Sequence, residues 1–224
     1  MSNRTTKMLA AEAACMDGAA LLDGVHAEME TELDRLGSEK SLLAATEARL
    51  EPDPVLVTAA ATLQTARDRL TDWAAEATDE TAAETLQTTA DTLEAAAGTV
   101  LAELEGDGDE IAALEAPFLS LEATGDIERV AAGTIGLPLV LDRLFLQVVS
   151  FFVNEAENAR ADLFRDLRSD TDEILAAGTD ALDALCADDD WKRAEASAVA
   201  VVEAAYDDYA ERLDAMGFDP KPIC

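Results

Sequence analysis

Histidine is almost missing from this chain, with His26 standing alone among 224 residues. A metal centre built on several imidazoles is therefore excluded, because such sites converge three or more ligands. Cysteine is nearly as scarce. Cys15, Cys186 and Cys224 match the spacing of neither a zinc site nor a disulfide scaffold, so buried or incidental thiols are expected. Lysine occurs only at Lys7, Lys40, Lys192 and Lys221, and no run of lysine and arginine exists anywhere. Direct binding of nucleic acid is excluded on that ground, since there is no basic face to neutralise phosphates and release counterions. Glycine-rich phosphate loops, nucleophile elbows and Cys–His pairs in a fitting context are also absent. The opening residues, MSNRTTKMLAAEAACM, have only a weak apolar stretch that carries Glu12; they do not read as a signal peptide, and a cytoplasmic location is expected.

What the chain has instead is acid. Asp and Glu number 48 against 16 Lys and Arg, giving a net charge of −32, while hydrophobic residues remain at 49%. High charge with low hydrophobicity marks disorder, and the second half of that combination fails here. An acidic, arginine-over-lysine, alanine-rich composition reads as a halophilic cytosol. In concentrated salt the Debye length falls to ~3 Å at 1 M, so crowded carboxylates repel one another little while staying hydrated.

Periodicity predicts an all-α protein, and no strand pattern competes. Residues 1–15 read as a loose extension, and 16–224 as one domain. Over 17–46 the spine Leu22, Val25, Met29, Leu33, Leu36 and Leu43 has helical spacing. Gly37 and Ser38 weaken it and can admit a neighbouring backbone. Asp53 is the expected cap of a second helix starting at Pro54 and running to about 77. Asp79 is expected to cap a third over about 80–105, making an αα-hairpin with the second. A crossover over 109–125 carries Ile111, Leu114, Phe118 and Leu121. Asp126 is expected to cap a fourth helix that kinks or restarts at Pro138. The densest apolar stretch, 137–167, is interrupted at Asn154, Glu155, Glu157 and Asn158, a node that reads as a helix-to-helix junction. A membrane span over 135–153 is disfavoured by Asp142, Arg143 and Gln147. A fifth pattern from Phe164 to Leu185 and a sixth over about 189–216, closed by Gly217 as C′ residue, are expected to form a second αα-hairpin. The sum is a four-helix bundle with one or two additional helices, its two hairpins joined by the crossover.

Four stretches carry a family likeness: ELDRLGSEKSL (32–42), FFVNEAENARADLFRDLR (151–168), LDALCADDDW (182–191) and AYDDYAERLDAMGFDPKPIC (205–224). They resemble haloarchaeal rubrerythrin-like proteins of the ferritin-like superfamily, a group partly labelled transcription antitermination protein. The resemblance implies a ferritin-like bundle and, for an intact family site, a di-iron centre held by glutamates and two Glu-x-x-His motifs. This chain has no Glu-x-x-His, so a conventional di-iron site is not expected.

The weak metal candidates are His26 and Glu30, one helical turn apart, with Glu32, Glu39, Glu155 and Glu157. They would carry iron or manganese only if the chain were an oxidoreductase with carboxylate ligands. Cys186 and Cys224 become a redox pair if the FDPKPIC strap folds back. Asn154, Asn158, Arg160, Arg165 and Arg168 form a candidate interface, although pairing of the arginines with Glu155, Glu157, Asp162 and Asp166 also accounts for them. A binding or structural module is the leading expectation, with no cofactor and with an unidentified protein partner or self-association. The alternative from the resemblance is a transcription-associated regulator acting through protein contacts.

Overall fold

The computed structural model describes residues 16–104 and 123–219. Among these residues every regular element is helical, making an all-α bundle. The expected crossover residues 109–122 lie outside the described residues.

The first spine is three helices instead of one: α1 (Gly18–Glu28), α2 (Glu30–Leu36) and α3 (Glu39–Ala45). The second break falls at Gly37–Ser38. There the Ser38 hydroxyl donates to the Arg35 carbonyl at 2.6 Å, and Gln147 Nε2 donates to the Gly37 carbonyl at 2.5 Å. A buried amide thus takes up the backbone acceptor that the interrupted helix releases.

α4 (Pro52–Glu76) begins two residues earlier than expected, with Glu51 as N-cap and Pro52 at the first helical position. Pro52 has the φ that position needs, Asp53 falls in the first turn where its charge suits the dipole, and Pro54 lacks only an N–H that would be unpaired anyway. α5 (Glu80–Leu101) is capped by Asp79, whose carboxylate accepts from the Thr81 and Ala82 amides at 2.8 and 3.3 Å. α4 and α5 pack along their length as the expected hairpin.

The next helix runs without a break from 126 to 154, as α6 (Asp126–Ala131), a π-turn (Ala132–Gly136) and α7 (Leu137–Asn154). The expected restart at Pro138 takes the form of a change of register, with α7 beginning at Leu137 directly after the π-turn and Pro138 in its first turn. A proline cannot donate to the carbonyl four residues back, and the wider π-turn directly before it shifts the hydrogen-bond register. Asp126 does not cap this helix either, since Gly125 holds that place. Its carboxylate instead accepts from the Thr78 hydroxyl at 2.7 Å and from the Asp79 and Thr78 amides at 2.8 and 3.0 Å. In effect it fastens the α4–α5 turn.

This helix is long and apolar enough to cross a membrane, with mean hydropathy 1.7, but 67% of its apolar window is buried inside the bundle. Near its end Phe145 and Phe152 are fully buried and pack on the equally buried Phe164 of the following helix, with ring centroids 5.7 and 5.9 Å apart.

α8 (Asn158–Leu185) and α9 (Asp190–Ala215) were expected to form the second hairpin. The structure pairs α7 with α8 instead, and α9 crosses the π-turn, α6 and α1 to α3. Two local features decide this. The node at 154–158 is a tight reversal in which Ala156 has φ 61, its amide donates to the Val153 carbonyl, and the Glu157 amide donates to the Phe152 carbonyl. That Schellman geometry turns α8 back onto α7. Meanwhile a Cβ on Gly136 would lie 2.6 Å from the Ala198 carbonyl oxygen, so the bare glycine lets α9 settle against the π-turn. Gly217 ends α9 with φ 79, as expected.

Candidate functional site

The sixteen basic residues are few enough that their placement is informative. Arg143 on α7 and Arg165 and Arg168 on α8 line one cleft of about 320 Å³, together with His26 from α1, Ser169, Asp142 and Asp172. The α7–α8 reversal produces this convergence, because it sets the Asp142–Arg143 pair of one helix beside the 165–169 face of the other.

Asp142 organises the cleft. Its Oδ1 accepts from Arg168 Nε at 2.7 Å, and its Oδ2 lies 3.9 Å from Arg143 Nη1. Arg165 Nη1 donates to Asp162 at 2.5 Å. Among the described residues neither Nη group of Arg168 makes a hydrogen bond, nor does the Arg143 guanidinium beyond its longer ion pair with Asp142, while Arg165 is engaged through Nη1 alone. Each guanidinium offers five N–H donors in a fixed plane suited to carboxylate or phosphate oxygens. A second hollow of about 520 Å³ shares His26 and Arg143 with the first and is lined by Asp23, Glu30 and Asp34.

The other interface candidates separate. Arg160 is drawn inward, with only 8% of its surface exposed. It donates to Glu157 at 2.6 Å and to the Glu103 carbonyl at 2.7 Å, and lies 5.8 Å from the centre of the Phe152 ring. It bolts the start of α8 to the residues after α5. Asn154 and Asn158 are exposed at the reversal. Arg168 pairs with Asp142 on α7, which is not among the four acids expected to pair with these arginines.

Of the metal candidates, Glu39 and Glu155 are exposed, while Glu32 and Glu157 are half-buried, the last engaged by Arg160. His26 and Glu30 do share a wall. Among the described residues no three His, Cys, Asp or Glu side chains are placed to hold a metal together. Cys186 is half-buried, and burial followed by the nearby Asp190 pushes its thiol up to about 11. A thiol so poised stays protonated and unreactive near neutrality. Cys15 and Cys224 lie outside the described residues.

A third concavity, of about 70 Å³, sits between α2, α3, α4, α7 and α9. Ala44, Ala45 and Ala205 create the space, and Asp208 and Arg212 close it. Arg212 Nε lies 2.9 Å from both Asp208 oxygens. Burial nevertheless keeps the Asp208 carboxyl above its ordinary range. The volume suits ordered water better than a ligand, which generally needs several hundred Å³.

Sequence reasoning found Arg165, Arg168 and His26 but did not join them, and it treated Arg143 only as a charge inside an apolar helix. That charge was the available signal. An Asp–Arg pair in an otherwise hydrophobic run needs a polar outlet. Against known proteins, no family model, curated protein or solved structure matches this chain.

Proposed function

We propose that the protein is a salt-adapted cytoplasmic helical bundle that works as a binding module, with the arginine cleft as its binding surface. The supporting observation is the convergence of Arg143, Arg165, Arg168 and His26 from three separate helices on one hollow, in a chain of net charge −32. Scattered solvation would not require such a gathering. The long-range field of the protein repels anions, but molar salt cuts that field to a few ångströms and leaves short charge-assisted hydrogen bonds in force.

The resemblance to rubrerythrin-like proteins supports a ferritin-like topology for the bundle. A carboxylate-ligated oxidoreductase is the weaker reading, since the candidate acids are dispersed, with Glu30, Glu39 and Glu155 exposed and Glu32 and Glu157 half-buried. Metal analysis of protein prepared in high salt checks this, with stoichiometric iron or manganese as the contrary result.

The binding reading is tested by thermal melts with inorganic phosphate in molar KCl. At ten times its Kd a ligand stabilises the native state by about 1.4 kcal/mol, equivalent to roughly 3–6 °C for a chain of this size. The shift is expected in the wild type and absent from the Arg165→Gln, Arg168→Gln double variant. A flat response in the wild type would count against the cleft as a small-anion site.

A further inference from the structure

We infer that the arginine cleft and its acidic neighbour form one dipolar site for a small zwitterion. This rests on the binding reading above and names the class of ligand. The oxyanion end would meet Arg143, Arg165 and Arg168, and the ammonium end would meet Glu30 and Asp34.

Two independent observations carry the inference. The hollows adjoin, because His26 and Arg143 line both. Their charges also differ in balance. On one side stand three arginines with two acids, Asp172 and an Asp142 already engaged by Arg168 and set against Arg143; on the other stand Asp23, Glu30 and Asp34, with Arg143 as the sole guanidinium. A simple anion bound to the arginines would face the acidic rim. A simple cation held by that rim would face the arginines. A molecule carrying both charges satisfies the two lobes together, and charge complementarity across a cleft sets specificity and orientation in this way. Asp142 has a positioning role, since its contact with Arg168 Nε fixes one guanidinium beside the cleft. Phosphate and carboxylate both fit a guanidinium fork, so the shared chemistry is an oxyanion separated by a short spacer from an ammonium.

The test is a titration of the full chain in molar KCl, followed by NMR or calorimetry, with four probes: inorganic phosphate, ethanolamine, phosphoethanolamine and β-alanine. Phosphoethanolamine is expected to bind about tenfold tighter than phosphate, the gain of one added charge-assisted contact, while ethanolamine alone gives no saturable response. Glu30→Gln combined with Asp34→Asn should bring the ratio of the two affinities to about one by removing that contact. Arg165→Gln with Arg168→Gln should abolish binding of every probe. All these positions are at least partly exposed, and melting temperatures confirm that the variants fold. Tighter binding of β-alanine than of phosphoethanolamine supports the same site with a carboxylate head. Equal affinities for phosphate and phosphoethanolamine overturn the dipolar inference and leave the binding reading standing. Failure of all four probes overturns both.

Discussion

At the scale of single residues, two side chains on either side of the α7–α8 reversal do opposite things. Ala156 holds φ 61, a left-handed conformation that costs an L-residue about 1–2 kcal/mol. The cost is tolerated because the Schellman bonds around it end α7 and aim α8. Ala156→Gly is therefore expected to stabilise the protein by about 0.5–1 kcal/mol, after allowing for the greater freedom of glycine in the unfolded chain. Chemical denaturation in constant KCl would measure it, and a lower midpoint would contradict the assignment. Arg160 contributes in the usual direction. Its contacts to Glu157, Glu103 and the Phe152 face are largely buried, so Arg160→Ala should lose about 2 kcal/mol, mostly from acceptors left unpaired. The sequence placed Arg160 with Arg165 and Arg168 because all three follow the node. Only their turn positions against α5 and α7 show that one is structural and two line the cleft.

Elements meet here through small residues and one acidic fastener. Gly136→Ala would bring a methyl group within 2.6 Å of the Ala198 backbone oxygen. Neither the π-turn nor α9 can yield by rotating a side chain, so a loss of about 3 kcal/mol or more is expected, read as a drop in melting temperature. Asp126 acts between elements in another way. Burial alone would raise its pKa, but hydrogen bonds from the Thr78 hydroxyl and from the Asp79 and Thr78 amides, helped by Arg129, take it below the ordinary aspartate value. A carboxyl lowered in the folded state contributes stability that is whole above its unfolded pKa and is lost as pH falls through the folded one. Asp126→Asn should thus be less stable than wild type near neutrality, with the gap closing below about pH 4. Melts of the two proteins across that range decide it; a gap constant with pH would remove the linkage. Asp126 was legible as a helix-start signal. Its true acceptor role was hidden because Thr78 lies 48 residues away.

For the molecule as a whole, the charge of −32 dominates. Melting temperature is expected to rise with KCl from dilute buffer into the molar range, as screening shortens the repulsion between surface carboxylates. A melting temperature unchanged between low and multimolar KCl would contradict salt adaptation. Asp170 and Asp208 act with the reverse sign to Asp126. Burial raises both, helped at Asp170 by Glu173 and Asp166, so each costs stability above its folded pKa and regains it as pH falls.

The sequence by itself determined the helical class, the hairpin of α4 and α5, the Asp79 cap, the Gly217 stop and the acidic surface. These depend on residues close together in the chain or on composition, and helical periodicity and capping are local physics. Tertiary structure alone decided that α8 folds onto α7, that α9 seats on the π-turn, and that Gln147 answers the Gly37 carbonyl. It also decided that Arg143 joins Arg165 and Arg168. Each of these is a choice of partner between distant segments. A heptad stripe says that a helix has an apolar face, but which face meets which depends on where a glycine leaves room and where a buried polar group finds its acceptor.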